Sequence, residues 1–228
     1  MCTLEKRGDL FILTITGDDE HRLNPTLIDS IRAALNRAKS ESESMGSTAL
    51  ITTAEGKFFS NGYDLSWALS DPDPVRAQAL ERPKVMSKKL RLLVADLISL
   101  PMPTIAAVTG HASAAGFILA LSHDYLLMRK DRGFLYVSVE GCGSGGGKDP
   151  GCNRVEWGIV DSAHENAEET VEAAVRQGMD LVRRKWDGKV YADNRKTVLA
   201  DVLAVLGSDE TVGDSGENMD ESKAVSRL

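Results

Sequence analysis

Two stretches of the sequence bring together residue types that can manage a developing negative charge. The first, "FFSNGYDLSWA" (58–68), sets Gly62 between small polar residues and Asp64. The second, "TGHASAAGFILAL" (109–121), opens a helical pattern with Ser113, Ala114, Ala115 and Gly116. Small side chains let a ligand approach the main chain, and the N–H groups of a first helical turn lack partners of their own. Two such loops on neighbouring strands can aim two amides at one carbonyl oxygen, which is an oxyanion hole. Taken singly, each loop also reads as small residues packing a helix on a sheet. A third stretch, "GCGSGGGKDPGCNR" (141–154), contains G-x-G-x-x-G at Gly141, Gly143 and Gly146, with Lys148 behind it. As a dinucleotide fingerprint it fails, because Pro150 and Gly151 stand where a helix must begin. As a P-loop it fails too: Cys142 takes the first glycine position and Asp149 the magnesium-binding hydroxyl. It reads as a Gly-rich linker, and a nucleotide-binding oxidoreductase is disfavoured.

The elements that must carry the two loops show in the hydrophobic pattern. "LFILTITG" (10–17) and "STALITTA" (47–54) are β-branched runs that read as strands. Between them, "LNPTLIDSIRAALNRA" reads as a helix capped by Asn24 with Pro25 at its first position, Leu27, Ile28, Ile31, Ala34 and Leu35 forming one stripe. A long helix is expected through "KVMSKKLRLLVADLIS", ended by Pro101 and Pro103. "TIAAVTG" is apolar throughout and so reads as a strand buried on both faces. "SAAGFILAL" follows as a helix, "HDYLLMR" and "FLYVSV" as strands, and "NAEETVEAAVRQGMDLV" as a helix whose Asn166 and Glu169 form a capping box. Alternating strand and helix imply an α/β fold with mostly parallel pairing.

Composition narrows the function classes. A net charge of −7 over 228 residues argues against a nucleic-acid surface. Cys2, Cys142 and Cys152 suggest a reducing compartment, and no third Cys or His stands near the last two to make a metal site. No apolar run is long enough for a membrane span, and "MCTLEKRGD" has no signal core. The tail "GSDETVGDSGENMDESKAVSRL" is polar and acidic, which predicts mobility, and it ends on Ser226-Arg227-Leu228, a variant of the S-K-L peroxisomal signal.

In this order, "FFSNGYDL" and "PTIAAVTGHASAAGFILALSHDY" resemble the F-x-x-G-x-D-L and P-x-I-A-x-x-x-G-x-x-x-x-x-G-x-x-L-A-x-x-x-D segments of the crotonase superfamily, which acts on acyl-CoA thioesters. "EWGIVDSA" resembles its later G-L-V-D turn. Within it, "FSNGYDL", "LMRKDRGFLY", "RKWDG" and the Ser-Arg-Leu end are similar to plant peroxisomal Δ3,Δ2-enoyl-CoA isomerases. The resemblance covers residues 5–138 and 156–195. It implies an α/β, crotonase-like ββα spiral with C-terminal helices, partly truncated. It also implies an acyl-CoA domain over 1–195, with 139–156 an atypical Gly-rich linker, and a C-terminal helix and mobile acidic tail over 196–228.

By the same resemblance, the N–H groups of Tyr63 and Ala115 hold the thioester oxygen as it becomes an enolate. Ser60, Asn61, Gly62, Asp64 and Gly116 shape the acyl-CoA site. Arg22 is a candidate for the CoA phosphates or ribose, whereas Asn24 reads first as a cap. Hydratases of the superfamily place a carboxylate where this chain has Ile118, so hydration is disfavoured. The isomerase base is expected at Val139; Glu140, one residue on, is the candidate, provided the strand bulges or ends there. The lost interval after Val139 predicts an exposed apolar patch where relatives pack a helix. His123 beside Asp124 suggests an acid–base pair only weakly, since neighbours on a strand face apart. Two readings follow: a peroxisomal enoyl-CoA isomerase of unsaturated fatty-acid β-oxidation, or a non-catalytic acyl-CoA-binding protein of the same fold. Either takes acyl-CoA as substrate or ligand, needs no cofactor and no metal, has no nucleic-acid partner, is carried by the peroxisomal import receptor, and assembles as a homotrimer or hexamer.

Overall fold

A computed structural model describes residues 1–70, 72–78, 80–131, 135–136, 155 and 158–207. Val139, Glu140, the Gly141–Cys152 stretch and Ser226-Arg227-Leu228 lie outside the described residues. The main sheet has six strands in the order β1-β2-β3-β5-β7-β9. Its first two strands, β1 (Cys2–Arg7) and β2 (Leu10–Ile15), form an antiparallel hairpin that turns at Gly8, φ +62°. From β2 onward the pairing is parallel, through β3 (Ala49–Ala54), β5 (Thr104–Val108), β7 (Tyr125–Arg129) and β9 (Ser162–His164). Each connection between parallel neighbours needs a crossover, and helices over 25–42, 81–98 and 115–121 lie in those from β2 to β7.

The apolar runs of the central strands follow from burial on both faces. Phe11, Leu13, Ile15, Leu50, Ala106 and Val108 pack into one cluster with Ile28, Ile31 and Leu35 of α1 (Pro25–Ser42) and Leu93 and Leu97 of α4 (Glu81–Ile98). Their neighbours Leu10, Ile51, Ile105 and Ala107 face the other way, under Ala173, Ala174 and Leu181 of α6 (Ala167–Val182). The period of two thus splits each strand between two cores. In α6, a Cβ on Gly178 would come 3.0 Å from Leu10 Cδ2, so glycine lets this helix lie close on the sheet. Asn24 caps α1, its Oδ1 accepting from Leu27 N at 2.9 Å with Pro25 at the first position. Asn166 caps α6 in the same way, and Glu169 answers it by accepting from Asn166 Nδ2 and Glu165 N.

A second sheet of three short parallel strands, β4-β6-β8, was not apparent in the sequence. Its strands are β4 (Phe58–Ser60), β6 (His111–Ser113) and β8 (Leu135–Tyr136). Three residues are too few for a period to register, so the stretch 55–65 reads as loop although it holds β4. For the same reason the helix expected from Ser113 starts only at Ala115, as α5 (Ala115–Leu121). The short helices α2 (Leu65–Leu69) and α3 (Pro74–Gln78) lead into α4. At the C-terminal end come α7 (Gly188–Val198) and α8 (Ala200–Gly207), with Leu199, Leu203 and Leu206 against the first core. Arg195 anchors α7: it pairs with Asp124 and donates to the carbonyls of Leu97 (3.0 Å) and Met102 (2.7 Å).

Candidate active site

Both candidate loops leave the small sheet side by side. The register of β4 on β6 shifts by one residue, with Phe58 opposite His111 but Ser60 opposite Ala112. Such a bulge re-aims the chain that follows it. The first loop is then tied to the segment before α1. Ser60 Oγ donates to His21 O at 2.8 Å, Asn61 N to Glu20 O at 2.8 Å, and Leu23 N to Gly62 O at 2.7 Å; Asp64 N donates to Leu23 O at 3.0 Å. This is a parallel bridge between Leu23 and Tyr63. Leu23 bonds to the residues on either side of Tyr63, so the Tyr63 N–H points away from Leu23. No group among the described residues accepts it. Asp64 ends the loop as the cap of α2, accepting from Trp67 N at 3.0 Å, and its other oxygen accepts from Asn24 Nδ2 at 3.3 Å.

The second loop turns at Ala114, whose φ of +48° and ψ of −120° are rare for a residue with a Cβ. That turn starts α5 at Ala115. Phe117 and Ile118 donate to Ala114 O, whereas the Ala115 N–H has no acceptor among the described residues. The loops touch at Gly62, φ +75°, where a Cβ would lie 3.0 Å from Ser113 O, 3.2 Å from Ala114 Cβ and 3.5 Å from Ala115 N. A Cβ and the next residue's nitrogen are about 3 Å apart, which puts the Tyr63 and Ala115 nitrogens within about 7 Å of each other. Gly116 is buried and would overlap the Ser60 carbonyl if it carried a Cβ. It and the fully buried Ser60 therefore hold α5 against β4 from inside.

Residues 12–137, more than half the chain, match the family model described as enoyl-CoA hydratase/isomerase. The chain belongs to that family. It is 52% identical to the Arabidopsis thaliana protein named enoyl-CoA delta isomerase 1, peroxisomal, over 89% of this chain and 91% of that one. It is 47% identical to enoyl-CoA delta isomerase 2, peroxisomal, of the same plant, over 93% and 98%. In fold it is similar to an enoyl-CoA hydratase/isomerase family protein from Pseudomonas syringae, with a TM-score of 0.76 at 20% identity over 90% of this chain and 93% of that one. A probable enoyl-CoA hydratase from Mycobacterium tuberculosis gives a TM-score of 0.72 at 18% identity, over 90% and 91%.

Within this family member the remaining candidates fall into two groups. Arg22 pairs with Glu20 and lines a cavity of about 290 Å³ together with Asp18, His21, Asn24 and Thr26. Glu20, paired with this guanidinium, offsets the charge that Arg22 offers a phosphate there. Ile118 is 48% exposed and Leu121 49%, an apolar face on α5. His123 serves the scaffold. It is buried, with Nδ1 on Leu119 O at 3.0 Å and Nε2 on Thr52 Oγ1 at 2.9 Å, and burial lowers its pKa to about 4, so the ring is neutral. Its neighbour Asp124 bonds Thr104 and Arg195 instead. Burial raises the Tyr63 phenol, with Ser87 and Arg91 of α4 opposing the rise. Two supporting bonds did not show in the sequence: Ser113, 4% exposed, donates its Oγ–H to Asn61 Oδ1 at 2.8 Å, and His21 Nδ1 lies 2.8 Å from Phe58 O.

Proposed function

We propose that this chain is an enoyl-CoA Δ3-Δ2 isomerase, acting on unsaturated fatty acyl-CoA in peroxisomal β-oxidation. The observation that carries the reading is a pair of amides, Tyr63 and Ala115, without an acceptor among the described residues, on touching loops of an enoyl-CoA hydratase/isomerase fold. The thioester oxygen sits between them. A base removes a C2 proton from the 3-enoyl-CoA, the electrons move into a dienolate whose oxygen carries the charge, and the C3=C4 bond becomes C2=C3. The same base returns the proton to C4, so no cofactor or metal enters the proton balance. A single oxyanion donor contributes about 2.7–4 kcal/mol to lowering such a barrier. One group that takes and returns a proton suffices, and Ile118, exposed and without a proton to give, leaves no second acid–base group at that place on α5.

Glu140 is the proposed base. Asn61, Gly62 and Asp64 frame the thioester end, and Arg22 the CoA end. The peroxisomal relatives and the Ser226-Arg227-Leu228 terminus support import by the peroxisomal receptor. Assembly as a trimer or hexamer is proposed on the family resemblance alone. The second reading, an acyl-CoA-binding protein without turnover, is favoured by Val139 at the position expected for the base. The two part on turnover of 3-enoyl-CoA by the whole chain and by Glu140→Gln. Turnover lost in the variant establishes the isomerase and its base; acyl-CoA binding without turnover in either establishes the second reading.

A further inference from the structure

The two donor loops share one plan. Each has a polar residue, then a residue with positive φ, then the donor: Asn61, Gly62 (φ +75°), Tyr63 in the first, and Ser113, Ala114 (φ +48°), Ala115 in the second. The two polar residues are joined to each other, Ser113 Oγ donating to Asn61 Oδ1 at 2.8 Å. Ser113 ends β6 and is 4% exposed; Asn61 directly follows β4 and is half-buried. The shift in register between Phe58 and Ser60 sets Ser60 opposite Ala112, so the following residues, Asn61 and Ser113, come abreast. One side-chain hydrogen bond therefore links the loops two residues before each amide. Asn61 N, Gly62 O and Asp64 N bond to the segment 20–23, and Phe117 N and Ile118 N bond to Ala114 O within α5's first turn.

Resting on the reading above, we infer that the Ser113–Asn61 hydrogen bond is a positioning device that fixes the separation of the two oxyanion donors. It touches no reacting atom. Without it, each loop keeps its own anchors, Gly62 to Leu23 and Ala114 to α5, but loses the side-chain link between them, and small rotations at the two positive-φ residues carry the amides apart. An error of about 1 Å in such a site can cost about a hundredfold in rate. A device of this kind acts on the step in which charge reaches the oxygen and leaves ground-state binding nearly untouched.

The test uses the full chain with Ser113→Ala, Asn61→Ala, the double variant, and Ser113→Thr, which keeps a hydroxyl. The expected result is a kcat lowered about tenfold or more in each Ala variant, with KM for 3-enoyl-CoA within about twofold in Ser113→Ala. The double variant should lose no more than the worse single one, because both remove the same link. A second readout does not need turnover: the carbonyl stretch of a bound saturated acyl-CoA labelled at the thioester carbon. It should move to lower frequency in the wild type and in Ser113→Thr, and less in Ser113→Ala. An unchanged stretch and kcat in Ser113→Ala, or losses that multiply in the double variant, would overturn the inference. A wild-type carbonyl shift without turnover would remove the isomerase reading alone, and a smaller shift in Ser113→Ala would then still support the device. Bound acyl-CoA with no carbonyl shift in the wild type would overturn both.

Discussion

Gly62 and Ala114 show how much of this site rests on backbone conformation. At Gly62 two requirements coincide: a φ of +75°, and a Cβ direction blocked by Ser113 O at 3.0 Å and Ala114 Cβ at 3.2 Å. Gly62→Ala should therefore push the loops apart and cut kcat by about a hundredfold, the loss of one oxyanion donor, while circular dichroism shows a folded protein. Ala114 holds its positive φ with a methyl group that disfavours it, at a cost of about 1–3 kcal/mol. Glycine there removes the strain and adds about 0.5–1 kcal/mol of unfolded-state entropy. Ala114→Gly should accordingly raise the melting temperature or leave it level, measured by calorimetry. A fall of several degrees would mean that the strain is not there.

At the scale of elements, the site depends on parts placed far from it. Arg195 of α7 is 8% exposed at its side chain and joins Asp124, Leu97 O and Met102 O, tying the C-terminal helices to β7 and the end of α4. Removing one partner of a largely buried ion pair leaves the other uncompensated, so Arg195→Ala should destabilise the fold by about 3 kcal/mol in chemical denaturation. His123 gives the fold a pH dependence of known sign. Its folded pKa, about 4, lies below the ordinary value of 6.5, so below pH 6.5 the unfolded chain binds a proton that the folded chain refuses. Stability should fall as pH drops from 6.5 towards 4 and this contribution should level off below, by on the order of 3 kcal/mol in all. His123→Gln should flatten that part of the profile; a titration of stability against pH that is identical in the two proteins would contradict it.

For the whole molecule, what the sequence revealed and what it hid divide by physical cause. The parallel core strands and α1, α4 and α6 showed themselves because burial on two faces and caps at Asn24 and Asn166 leave marks over many residues. The small sheet left little: the run "FLYVSV" holds β8 as expected, but β4 and β6 are three residues long and gain their identity from their neighbours. The proposed donor pair, Tyr63 and Ala115, rests on resemblance to a family rather than on periodicity, because a main-chain amide has no residue type. Ser113 and His21 support the loops by single hydrogen bonds to groups distant in sequence, which no local pattern announces. The proposed import into peroxisomes belongs at this scale too. A fluorescent fusion carrying the full chain should enter peroxisomes and one lacking Ser226-Arg227-Leu228 should remain outside. The most direct test of the account is the product that the purified chain makes from 3-enoyl-CoA, followed by chromatography beside a 2-enoyl-CoA control. It predicts 2-enoyl-CoA from the first substrate and no 3-hydroxyacyl-CoA from the second; hydration of the control, or an unchanged 3-enoyl-CoA, would contradict it.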